Sequence, residues 1–182
     1  VQFRLFLFIP FVASLIAATT AANPVVVESP RELPVVGEVD VVVAGGSTAA
    51  VAAAVAAAEH GASVFLAAPR PYLGEDLCAT LRLDSKTTPL QVKKELDQAL
   101  LAAKVRYLLA CYATDVLRDA EGRPAGIAIA NRAGRQAVLT KVIIDATDRA
   151  WVARQAGAAP VPWPAGRQTF ECSICPPDSR TF

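Results

Sequence analysis

VDVVVAGGSTAAVAAAVAAAEHGASVFLAAPR, residues Val39 to Arg70, decides how this chain is read. Val39 to Val43 is a near-continuous β-branched run, as expected of a parallel strand buried on both faces. Ala44-Gly45-Gly46-Ser47-Thr48-Ala49 follows at once. An alanine-rich helix is expected from Thr48 to His60, closed by Gly61 at the C′ position. Ser63 to Ala67 is expected as the second strand. Together these make the opening βαβ unit of a dinucleotide-binding domain. A tight turn lets amides at the helix start face a pyrophosphate, where the helix dipole favours negative charge. Gly46 has no Cβ, so phosphates can approach its backbone, and the small Ala49 is expected to let the helix lie close to the strands. Two positions depart from the fingerprint. Ala44 stands at the first glycine, and Ala68 stands where an acid would bind a ribose hydroxyl. The competing reading is an alanine-rich βαβ unit that packs well and binds nothing.

Continuing to Asp76, the stretch VVVAGGSTAAVAAAVAAAEHGASVFLAAPRPYLGED resembles the FAD-dependent oxidoreductases with the glutathione-reductase-like FAD/NAD(P)-binding fold. It is most similar to an exported bacterial branch of that family. Arg70-Pro71-Tyr72-Leu73-Gly74-Glu75 resembles the family's basic–aromatic–Leu-Gly-Gly loop beneath the cofactor. Lys141 to Asp148, KVIIDATD, resembles the later strand ending in Ala-Thr-Gly near the FAD adenosine end. The likeness covers about Glu38 to Thr169, with its motifs in order. It departs from the family at Asp148 and Glu75, where glycines are usual, and at Ala68. The resemblance implies FAD as cofactor. Its contacts would be Ala44, Gly45, Gly46, Ser47, Thr48, Ala49, Ala68, Pro69, Arg70, Leu73, Gly74, Glu75, Ala146, Thr147 and Asp148. It also implies electron transfer from an unknown small-molecule substrate to the flavin. In the family a C-terminal segment returns to the flavin. The chain is therefore expected to be an N-terminal portion that needs such a segment, or a partner chain, to complete the site.

The remaining composition excludes several other classes. A formal net charge of +1 over 182 residues offers no electrostatic footprint for nucleic acid. There is no Gly-Lys-Ser/Thr P-loop. The single histidine, His60, falls at a helix C-terminus and is expected to be a surface residue. Cys172-Ser-Ile-Cys175 lacks the second pair a structural zinc site needs, so incidental cysteines or a local disulfide are expected, and no metal. Cys78 follows the Leu73-Gly74 loop closely enough to lie near the flavin.

Arg4, the apolar run Leu5 to Ala18 and the small residues Thr20 to Ala22 read as a cleaved export signal over residues 1–22, with the mature protein periplasmic or extracellular. An uncleaved anchor would bring membrane contact, but 14 apolar residues (5–18) fall short of the roughly 20 a span needs. Asn23 to Gly37 is expected as an extended linker, residues 38–160 as the Rossmann-like domain, and residues 161–182 as a tail.

Further along, Pro89 to Ala103 is expected as a helix capped by Thr88, followed by a strand over Val105 to Leu109. That completes βαβαβ. An antiparallel three-stranded meander is expected next, over Tyr112–Arg118, Ala125–Asn131 and Gln136–Thr140, leading into a parallel strand at Lys141–Asp145. Asp115, Asp119 and Glu121 read as solvated hairpin residues, whereas Asp145, Asp148 and Arg149 cluster at a strand end, where α/β sheets bind ligands. Two rival functions stay open. Ala68 followed by Arg70 also suits NADP, whose 2′-phosphate an arginine can meet. A degenerate domain that keeps the fold without the cofactor is the other.

Overall fold

The computed structural model describes residues 30–169, apart from 81, 84, 85, 163, 164 and 168. The expected export signal, Cys172 and Cys175 lie outside the described residues. Among the described residues, no helix is long and apolar enough to cross a membrane.

Six strands form one sheet. They are β1 (Val35–Ala44), β2 (Val64–Ala67), β3 (Arg106–Leu108), β4 (Tyr112–Arg118), β5 (Pro124–Asn131) and β6 (Gly134–Asp145), in the spatial order β3-β2-β1-β6-β5-β4. The half containing β3, β2, β1 and β6 is parallel, and β6-β5-β4 is antiparallel. Four helices accompany them: α1 (Thr48–Glu59), α2 (Glu75–Cys78), α3 (Pro89–Ala102) and α4 (Trp151–Gln155).

β1 is central, with Val43 opposite both Leu66 of β2 and Ile144 of β6. Its side chains alternate between two cores. Val42 joins Phe65, Ile127, Ile129 and Val138 on one face, while Val43 joins Leu66, Ala50, Val51, Ala54 and Leu100 on the other. Burial on both faces is why β1 and β2 read as unbroken apolar runs rather than alternating ones.

Three expectations need correction. β6 is one unbroken strand, not a meander strand followed by a separate parallel one. It pairs antiparallel with β5 along Gly134–Leu139 and parallel with β1 along Ala137–Asp145. Nothing in Gln136 to Asp145 turns the chain, so a strand with two edges serves both partners. β1 begins at Val35, within the expected linker, because Val35 registers with Ala137 of β6. Finally, Ala49 is exposed, and Ala50, Val51 and Ala54 are the α1 residues that pack on the sheet. The helix thus presents a face turned by one residue from the one the fingerprint suggests.

Candidate functional site: the cleft at the carboxyl ends of the parallel strands

At the carboxyl end of β1 the chain turns through Gly45 and Gly46 into α1. Gly45 has φ +138°, and a Cβ there would overlap the Ala146 carbonyl oxygen. Close pairing beyond β1 and β6 causes this, since the Ala146 N–H donates to the Ala44 carbonyl at 2.8 Å. A Cβ on Gly46 would come within 3.0 Å of the Ala68 Cβ. Ser47 caps α1, its hydroxyl oxygen accepting from the Ala50 N–H at 3.1 Å.

A strap over residues 69–79 closes the site from one side. Leu73 is buried in the α1–α3 core, and a Cβ on Gly74 would meet Leu96 Cδ1 of α3 at 2.8 Å. Lys93 of α3 sits over the Tyr72 ring at 4.1 Å. So anchored, the strap donates its Gly74 N–H to the Gly46 carbonyl at 2.7 Å. Glu75 and Asp76 thereby arrive at the opening of α1. Asp76 accepts from the Thr48 N–H at 2.9 Å and from the Thr48 hydroxyl at 2.5 Å. Glu75 lies 3.5 Å from Arg70 Nε. Burial, first, and then the neighbouring Asp148 push the Glu75 carboxyl above its usual range, against the pull of Arg70.

The third wall follows β6. Asp145 accepts from the N–H and hydroxyl of Thr147, at 2.9 and 2.6 Å, and from the Ala153 N–H at 2.7 Å. It therefore builds the turn into α4, while Asp148 and Arg149 line the cleft. These walls, with β4, enclose a cleft of about 800 Å³. Of the residues expected to contact a cofactor, Ala44, Gly45, Pro69, Arg70, Glu75, Thr147 and Asp148 line it. Gly46, Ser47 and Thr48 stand at the helix opening beside it. The side chains of Ala68 and Leu73 instead belong to the α1–α3 core. A two-face strand directs alternate side chains away from the cleft, and Ala68 takes the core direction after Ala67. Sequence reasoning missed Tyr112, Thr114 and Trp151, which also line the cleft. The two aromatics are large and exposed, but β4 and α4 lie far from the fingerprint in sequence.

Cys78 points elsewhere, its thiol directed 3.7 Å from the Pro89 carbonyl oxygen. Cys111 is fully buried, and that burial pushes its thiol upward. His60 is exposed, its Nδ1 2.8 Å from the Ala56 carbonyl oxygen. Among the described residues, no group of three His, Cys, Asp or Glu side chains could hold a metal ion.

A crevice outside the carboxyl ends of parallel strands, opened by a glycine turn and a capped helix, defines a dinucleotide-binding protein of the Rossmann-like type. The family model described as FAD dependent oxidoreductase matches residues 40–83 and 76–172, and the chain belongs to that family, whose cofactor is FAD. No curated protein matches the chain in sequence. Among the solved structures that share its fold are two of particular use. One is a geranylgeranyl bacteriochlorophyll reductase-like protein from Thermoplasma acidophilum, 19% identical with a TM-score of 0.52, over 67% of this chain and 42% of that one. The other is L-proline dehydrogenase from P. horikoshii, 24% identical with a TM-score of 0.52, over 65% of this chain and 24% of that one. The chain thus spans less than half the length of either.

The cleft's residues fit the ADP half of FAD. Gly45 lines the cleft at the exit of β1, α1 is long enough to carry a dipole, and the cavity is open at the strand ends.

Proposed function

We propose that this domain holds FAD by its ADP half as part of an oxidoreductase that passes two electrons from a reduced small-molecule substrate to the flavin. The observation that carries the reading is the cleft at the ends of β1, β2 and β6, lined by Ala44 and Gly45 where β1 turns into α1. In this reading the Gly45–Gly46 turn and the opening of α1 face the pyrophosphate, while the Thr48 N–H is held by Asp76. Pro69, Arg70, Thr147 and Asp148 border the adenosine. Bound FAD supplies the electron acceptor, and the protein supplies position and electrostatics. The Leu73 anchor and the Tyr72–Lys93 contact hold the strap against the helix opening, so the pyrophosphate meets a preformed wall.

The test is the visible spectrum and flavin fluorescence of the purified protein titrated with FAD, for the natural chain and for Gly46→Val. The valine drives a side chain into Ala68 behind the turn and so displaces the amides that would meet the pyrophosphate, and FAD affinity is expected to fall at least tenfold, about 1.4 kcal/mol. Circular dichroism checks that the variant folds. Equal FAD affinity in a folded Gly46→Val protein refutes the assignment, and tighter binding of NADPH than of FAD would favour a nicotinamide site.

Export is part of the same reading, supported by Arg4, the apolar run 5–18 and the small residues 20–22. N-terminal sequencing of protein from the cell envelope should begin near Asn23. Finding intact Val1 in the membrane fraction would indicate an anchor instead.

A further inference from the structure

We propose that FAD binding to this cleft takes up one proton from solvent, which comes to rest on the carboxyl of Glu75. The inference rests on the reading of the cleft as the FAD site.

Three carboxylates gather about the opening of α1. Glu75 of the strap and Asp148 of the turn after β6 share the lining of the cleft, and Asp76 of the strap is bonded to Thr48. Amides at the opening of α1 are a ready anion site, and here the chain's own Asp76 already uses one. The Thr48 N–H and hydroxyl donate to Asp76, and Glu75 precedes it on the strap, in the lining of the cleft. A bound pyrophosphate adds negative charge to the same spot. Like charges within a few ångströms disfavour each other's ionised form, so a carboxylate must leave, or lose its charge.

Glu75 is the group placed to lose it. Its side chain is only 13% exposed, so it cannot swing freely into water. The strap backbone behind it is pinned at Leu73 and Gly74. It faces Asp76 from α2 and Asp148 from the β6–α4 turn. The cation beside it, Arg70, is 60% exposed and 3.5 Å away. From α3, Lys93 is engaged over Tyr72. Asp76, by contrast, accepts two hydrogen bonds from Thr48, and Asp148 is exposed to water. Burial and the flanking acids already raise the Glu75 carboxyl, and a further negative neighbour raises it again.

The sign follows from linkage. Where Glu75 is already protonated, at low pH, binding takes up nothing and affinity is greatest. As pH rises from there to the carboxyl's value in the complex, affinity falls, by up to tenfold per pH unit. FAD is the probe because its bridging pyrophosphate keeps the same charge throughout.

The experiment is titration calorimetry of the full chain with FAD at about pH 6, 7 and 8, each in two buffers of different ionisation enthalpy. It is repeated with Glu75→Gln. For the natural chain, affinity is expected to fall about tenfold from pH 6 to pH 8, with binding heats that differ between buffers by the uptake of up to one proton. For Glu75→Gln, affinity is expected to be flat with pH and equal between buffers. Binding by Glu75→Gln alone would overturn the inference, because the natural Glu75 would then block FAD rather than accept a proton as it binds. FAD binding by the natural chain with flat affinity and equal heats overturns the proton uptake and leaves the FAD site standing. Failure of both proteins to bind FAD at any pH overturns the site, and the inference with it.

Discussion

Gly45 and Gly61 both adopt positive φ, at +138° and +87°, but for different reasons. Gly61 closes α1, and nothing lies within 4 Å of where its Cβ would be. Gly45 is wedged against the Ala146 carbonyl as β1 and β6 continue to pair. Gly61→Ala should therefore cost only the backbone term, about 1 kcal/mol. Gly45→Ala adds steric overlap with backbone and should cost roughly 3 kcal/mol or more. Urea unfolding of both variants checks the ordering, and equal losses would mean that the β1–β6 exit can yield. Both glycines were visible in the sequence, yet only their φ need could be read there. The overlap depends on Ala146, 101 positions after Gly45, and no local pattern announces that meeting. Ala49 was misjudged for a related reason. The fingerprint fixes spacing along the chain, whereas the helix's rotation on the sheet is set by packing of Ala50, Val51 and Ala54.

Elements read best where their signals were local. α1 and α3 have oxygen-bearing caps at Ser47 and Thr88, and both side chains accept the expected amide bonds. β6 was divided because its polarity pattern changes where its partners change, from β5 to β1, and a partner is a tertiary fact. The strap was legible as a motif but its anchoring was not. Leu73 is 1% exposed, between α1 and α3. Leu73→Ala should leave a cavity and cost about 2–5 kcal/mol. It should also weaken FAD binding, because the strap would lose its hold on the turn. Thermal unfolding and FAD titration test both effects together. A fully stable variant with slackened FAD binding, or the reverse, would show that strap and core are independent.

The whole sheet is tied at the end opposite the cleft. Asp40 of β1 accepts from the N–H and hydroxyl of Ser63, at 2.9 and 2.6 Å, and from Lys141 Nζ of β6 at 2.7 Å. The Lys141 and Ser63 hydrogen bonds hold the Asp40 carboxyl well below the usual carboxylate range, and Asp40 in turn raises Lys141. A depressed carboxyl stabilises the fold at pH above its unfolded value, and that contribution is lost as pH falls through its folded value. The pin should thus hold through neutral and mildly acid solution and release only in strong acid. Lys141→Ala should move the Asp40 carboxyl back toward its ordinary range, read by NMR titration of its side-chain carbon. An unmoved titration would assign the shift to Ser63 alone.

The same β1–β6 pairing joins residues 101 apart in sequence, as Asp40 and Lys141 are. Its consequence is one of timing. A ribosome adds roughly 5–20 residues per second, so β1 leaves it on the order of 5–20 s before its neighbour β6 exists. Once β2 has been made, and until β6 follows, the valines of β1 have β2 on one side and an open edge on the other, a template for pairing with another chain. The nascent protein is at greatest risk of aggregation while residues 45–134 are being made, and a chaperone that shields one extended apolar segment near its start would protect it best.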